Sequence, residues 1–82
     1  MKVICDALVA NTKLKVLNLS RTGLTEAGSV AEMLSYNKAL MSLMLHWNKI
    51  RWKGAVEIFK ALTDNDSLRI LDISYNSLHQ AK

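Results

Sequence analysis

The sequence predicts an α/β chain in which short parallel strands alternate with helices, and three observations predict it. An eleven-residue pattern, LxxLxLxxNxL, occurs three times without gaps, as Leu14 to Leu24 (LKVLNLSRTGL), Leu40 to Ile50 (LMSLMLHWNKI) and Leu68 to Leu78 (LRILDISYNSL). The first leucines lie 26 and then 28 residues apart, a period typical of stacked β-α units. Between the copies the apolar period changes from two, which suits a strand, to about 3.6, which suits a helix.

In chain order, Met1, Ile4, Cys5 and Leu8 form a first helical stripe. The first strand turns Leu17 and Leu19 inward and Val16, Asn18 and Ser20 outward, because alternate side chains share a face. Thr22 stands where the other copies have asparagine. Ala27, Val30, Ala31 and Leu34 make the second stripe. The second strand points Leu43 and Leu45 in and Ser42, Met44 and His46 out, and Ala55, Ile58, Phe59 and Leu62 make the third stripe. The last strand points Leu71 and Ile73 in and Ile70, Asp72 and Ser74 out. Asn48 and Asn76 sit where the backbone leaves a strand, and stacked carboxamides there can donate to and accept from neighbouring backbone. Thr22, with one hydroxyl, predicts a looser first turn.

The first repeat is two residues shorter than the second. If Gly28 and Gly54 are equivalent the loss lies in the helix, and if the stripes are equivalent it lies in the loop after Leu24. Burying large apolar side chains, each contributing roughly 1.5 to 3 kcal/mol, outweighs glycine register. The loop is therefore expected to give way, leaving Gly28 inside its helix at about 1 kcal/mol relative to alanine. The predicted organisation is one domain over residues 1–82: a half repeat at 1–13, repeats at 14–39 and 40–67, and a partial repeat at 68–82.

The composition agrees with a single small domain: 82 residues, half of them hydrophobic, no proline and a net charge of +4. The densest basic group, Lys49, Arg51 and Lys53 around Trp52, has two readings, a phosphate-binding patch or a solvated loop. The loop is preferred and nucleic-acid binding is the weaker reading, because scattered surface charge mostly serves solubility. One cysteine, Cys5, excludes an intramolecular disulfide and suits a reducing compartment. Asp6 interrupts the N-terminal apolar stretch, which fits the repeat better than a signal peptide, and no stretch is long enough to span a membrane. A soluble, cytoplasmic chain is expected.

The repeated LxxLxLxxNxL, a following glycine, an alanine-rich helix and a polar connection such as TDNDS resemble the ribonuclease-inhibitor class of leucine-rich repeat. That class also occurs in NOD-like receptors and in cytoskeletal and ciliary proteins. The resemblance covers practically the whole chain. It implies a solenoid, a short right-handed β-α horseshoe segment with parallel strands on the concave face and helices on the convex one. Such proteins commonly bind partners across the concave face, so the expected contact residues are Asn18, Met44, His46 and Asp72, with Arg21, Trp47 and Tyr75 in a row just beyond the strands. Trp, Tyr and Arg dominate interface hot spots. The opposing reading is that the rings merely cover the ascending loop.

Catalytic and metal sites are set aside. Cys5 falls on a buried stripe, His46 on the strand face and His79 in the tail, so they do not converge. Asp64 and Asp66 lie in a polar turn where Asp favours local backbone bonding. The three glycines are isolated, which excludes a phosphate loop. The triplets at Asn18 and Asn65 match a glycosylation pattern but lack a secretory context. The chain is expected to be a non-catalytic, cofactor-free protein–protein interaction module whose partner is a protein of unknown identity. The alternative is a structural slice of a longer solenoid that stacks on neighbouring repeats or self-associates through uncapped ends.

Overall fold

The computed structural model describes residues 2–78; Met1 of the first stripe, His79 and the last residues of the partial repeat lie outside the described residues. The elements run α1 (Lys2–Leu8), β1 (Val16–Asn18), α2 (Gly28–Tyr36), β2 (Ser42–Met44), α3 (Trp52–Leu62) and β3 (Ile70–Asp72). The strands form one parallel sheet in the order β1-β2-β3. Its register carries the sequence period directly: Val16, Ser42 and Ile70 align, as do Leu17, Leu43 and Leu71, and Asn18, Met44 and Asp72. The helices pack side by side in the same order, α1 on α2 and α2 on α3.

The core joins Leu40, Leu43, Leu45 and Ile50 of the central strand segment to Val30, Met33 and Leu34 of α2 and Ile58 of α3, all essentially sealed from solvent. Cys5 of α1 is buried and unpaired. Close packing explains Gly54: a Cβ there would lie 3.0 Å from the Ala27 Cβ and 3.2 Å from a methyl of Ile50, so α3 approaches the preceding turn only through a glycine.

Four expectations are corrected. Phe59 and Ile4, placed on buried stripes, are exposed, and Met33 and Ala61 are buried instead. α2 lies between α1 and α3 and buries Ala31, whereas Phe59, 28 residues later on α3, lacks such a cover among the described residues. Ser42, expected to face out, is buried because the register sets it between the larger side chains of Val16 and Ile70. The stripes are equivalent, with Ala27 and Ala55, Val30 and Ile58, and Met33 and Ala61 buried alike, but the missing residues come from the first turn of the helix, not from the loop. Gly28 is therefore the first residue of the nine-residue α2 and not an interior one. Finally, Asn65 and not its neighbours Asp64 and Asp66 makes the local turn bonds, accepting from the Ser67 and Leu68 amides.

Asparagines tie the repeats together on both sides of the sheet. Where the chain leaves the strands, the Asn48 carboxamide donates to the carbonyls of Leu45 and Leu19 and accepts from the Thr22 and Leu24 amides. Asn76 likewise donates to Ile73 and Leu45 and accepts from Ile50. Each asparagine thus serves its own turn and the one before it. The Thr22 hydroxyl reaches Leu19 of its own turn and the Asn48 carboxamide oxygen. A second ladder approaches the strands. Asn11, Asn37 and Asn65 each accept from the amides two and three residues on, and Asn37 and Asn65 each donate to two carbonyls of the preceding turn.

Candidate functional site

At the end of each strand the backbone turns through the left-handed region at a residue that is not glycine: Arg21 (φ 57°), Trp47 (φ 57°) and Tyr75 (φ 56°). That conformation costs an L-residue roughly 1 to 2 kcal/mol. The neighbouring repeat holds it in place, the Arg21 amide donating to the His46 carbonyl and the Trp47 amide to that of Ser74. Adjacent strands lie about 4.8 Å apart, so side chains at equivalent positions must stack or collide. They stack. The Trp47 and Tyr75 ring centroids are 4.3 Å apart with 5° between their planes, and the Arg21 guanidinium carbon lies 5.2 Å from the Trp47 centroid. Trp47 remains 48% exposed and Tyr75 66% exposed, so the row does not form part of the core.

The other expected contact residues surround this row unevenly. Asn18 lies exposed on β1, and its carboxamide oxygen accepts from the Ser20 amide and hydroxyl. Asp72 repeats that turn with Ser74 on β3, and the two bonds hold its carboxyl below the ordinary carboxylate range. Between them stand Met44 and His46, both half-buried, where the central segment lacks this turn. The His46 Nδ1 is buried without a hydrogen-bond partner and lies 3.6 Å from an Asp72 oxygen, too far for a hydrogen bond. Val16 and Ile70 add exposed apolar surface at the two edges of the sheet.

The groups set aside stay apart. Burial pushes the Cys5 thiol up, away from the reactive thiolate. Among the described residues no three His, Cys, Asp or Glu side chains gather as metal ligands. Arg51 and Lys53 line a shallow cleft of about 220 Å³ with Glu26 and Glu57, so the basic cluster is interleaved with acid. No helix among the described residues is long and apolar enough to cross a membrane.

The sequence reading missed the second asparagine ladder, although Asn11, Asn37 and Asn65 recur at the same intervals of 26 and 28 residues as the leucines. It also missed that Lys15 and Arg69, exposed, immediately precede the outer strands.

Residues 10–31 match the family model described as a leucine-rich repeat. The chain carries a leucine-rich repeat. Human tropomodulin-4 is 35% identical to it over 72 residues, which is 85% of this chain and 21% of that protein. Rat leiomodin-1 is 42% identical over 65 residues, 77% of this chain and 11% of that protein. The chicken leucine-rich repeat-containing protein 45 is 30% identical over 96% of this chain and 12% of its own length. Among solved structures, leiomodin-1 actin-binding site 2 superposes with a TM-score of 0.89 at 35% identity, covering 92% of this chain and 44% of that one. The leucine-rich-repeat chain thus spans about a fifth or less of the curated relatives it matches.

Proposed function

We propose that this leucine-rich-repeat chain is a non-catalytic protein-binding module that uses its strand side, and that its partner is actin. One observation carries the choice of surface: Arg21, Trp47 and Tyr75 are stacked, exposed and held in a backbone conformation that glycine would adopt at lower cost. Strain retained at three equivalent positions, where it does not help the core, supports a functional row. Asn18, Met44, His46 and Asp72 complete the proposed contact surface. Actin is favoured because the solved relative superposing at a TM-score of 0.89 is an actin-binding site. An actin-binding role would place the chain in the cytoplasm.

The proposed layout is the half repeat, two repeats and partial repeat of a ribonuclease-inhibitor-like horseshoe. A second reading, that the chain is a slice of a longer solenoid which stacks through its ends, is favoured by the half-buried Leu68, Leu71, Ile73 and Leu78 at the last edge. The two readings are compatible.

The test is the affinity for monomeric actin of the native chain, Trp47→Ala and Tyr75→Ala, with circular dichroism confirming that each variant is folded. Hot-spot truncation costs about 2 kcal/mol or more, so binding is expected to weaken more than tenfold in either variant. Undiminished binding by both folded variants would remove the row from the contact surface, and no binding by the native chain would remove actin.

A further inference from the structure

Charge is distributed unequally between the two sides of the molecule. The three eleven-residue strand segments contain Lys15, Arg21, Lys49 and Arg69 against a single acid, Asp72, and so hold most of the net charge of +4. The other six acids are matched by seven bases across the helices and connections, where Glu32, Glu57 and Asp64 share the groove between α2 and α3 with Lys60, and Glu26 and Glu57 share the cleft beside it with Arg51 and Lys53. The one strand-side carboxylate is already engaged, its Oδ1 accepting from the Ser74 amide and hydroxyl. The cations frame apolar surface: Lys15 precedes β1, Arg69 precedes β3, and between them Val16, Ile70, Trp47 and Tyr75 are exposed. An arginine over an aromatic ring keeps N–H donors at its rim, where a carboxylate can be bound in bidentate fashion.

We infer that the strand side takes an acidic protein surface, one in which carboxylates flank an apolar side chain, and that the helix side, where acids and bases are interleaved, does not. This deepens the proposed use of the strand side and rests on that reading. It does not rest on actin. The apolar side chain meets the Trp47–Tyr75 stack, and the flanking carboxylates meet Arg21 and Lys49 beyond the strands and Lys15 and Arg69 before them. Charge complementarity of this kind sets orientation and association rate, and its effect falls with salt.

The experiment follows backbone amide shifts of the whole chain during titration with two short synthetic peptides, Leu and Phe spaced by Glu in one and by Lys in the other. The Glu peptide is expected to shift amides from Val16 to Arg21, Ser42 to Trp47 and Ile70 to Tyr75, and the Lys peptide to leave them in place. Its affinity should fall about tenfold in the double variant Lys15→Glu/Arg69→Glu, and again between about 50 and about 300 mM salt. Equal binding of both peptides, or Glu-peptide shifts confined to α2 and α3, would overturn the inference. The same salt series with actin separates the two failures. Actin binding that depends on Trp47 but ignores salt and charge reversal sinks the acidic-partner inference alone, whereas Glu-peptide binding at the strand side without actin binding sinks only the choice of actin.

Discussion

The central and last strand segments share one backbone register and one sequence pattern, yet they differ in how fully they are closed. Leu40, Leu43, Leu45 and Ile50 are sealed, whereas the equivalent Leu68, Leu71, Ile73 and Leu78 are only half-buried. The difference comes from neighbours: among the described residues β2 is flanked by β1 and β3, and β3 by β2 alone. The same residue type in the same local conformation therefore contributes unequally, because each repeat supplies one wall of the next one's core.

The largest expected effect tests that contrast directly. Leu43→Ala removes a side chain with no exposed surface and should cost about 3 kcal/mol, while Leu71→Ala should cost about half as much. Urea unfolding followed by circular dichroism measures both. Equal losses would mean that the edge is closed in solution, as self-association would close it, and sedimentation at several concentrations would then show the assembly.

The asparagines sharpen the comparison. Asn48 is 7% exposed and is bonded to two carbonyls and two amides, across two turns, so its truncation leaves several buried groups unpaired. Asn48→Ala is expected to cost about 2 to 3 kcal/mol and Asn76→Ala about 1 kcal/mol, since water reaches the last turn. If the order reverses, the ladder does not run towards the preceding turn as the geometry has it.

The strands, the stripes and the exit asparagines were legible in the sequence because each is a local pattern at a fixed period. Burial at particular positions was not. Phe59 and Ala31 hold equivalent places in their helices, and only the helices packed on either side of α2 decide which is covered. The fate of Ser42 needed the identities of Val16 and Ile70 together with their register. The row of Arg21, Trp47 and Tyr75 was readable as a row because the repeat aligns it, but its left-handed backbone was invisible: no glycine marks it. The approach ladder has the same period but escapes notice, since Asn11, Asn37 and Asn65 lie outside the eleven-residue strand pattern.

The first edge differs from the last in that α1 seals Cys5 against the core. Burial raises the thiol's folded pKa above its unfolded value. The unfolded thiol then loses its proton first as pH rises, so the stability it contributes is complete below the unfolded pKa and declines as pH climbs towards the folded one. The urea midpoint is expected to fall modestly between about pH 8 and about pH 10 and to be flatter in Cys5→Ala. The Lys2 ammonium, raised by its bond to Asp6, titrates above that window. Identical slopes in the two proteins would mean that α1 is not closed over the thiol.

The smallest expected effect on stability concerns the stacked row, where strain and stacking oppose each other. Among the described residues Trp47 has two partners, Arg21 on one side and Tyr75 on the other, while Tyr75 stacks on Trp47 alone. Replacement by glycine relieves roughly 1 kcal/mol or more of left-handed strain at either place but forfeits stacking of about 0.5 to 1.5 kcal/mol per aromatic pair. Trp47→Gly, which loses both contacts, should be close to neutral. Tyr75→Gly, which loses one, should be neutral or more stable by a few tenths of a kcal/mol, whereas Trp47→Ala keeps the strain, loses the stack and should be the least stable of the three. Thermal melts rank them. If the glycine variants hold their stability yet lose the partner, then the side chains at these turns serve recognition and the fold would do as well without them; if both variants melt far lower, the row is part of what holds the repeats together and the contact surface must lie elsewhere on the strand side.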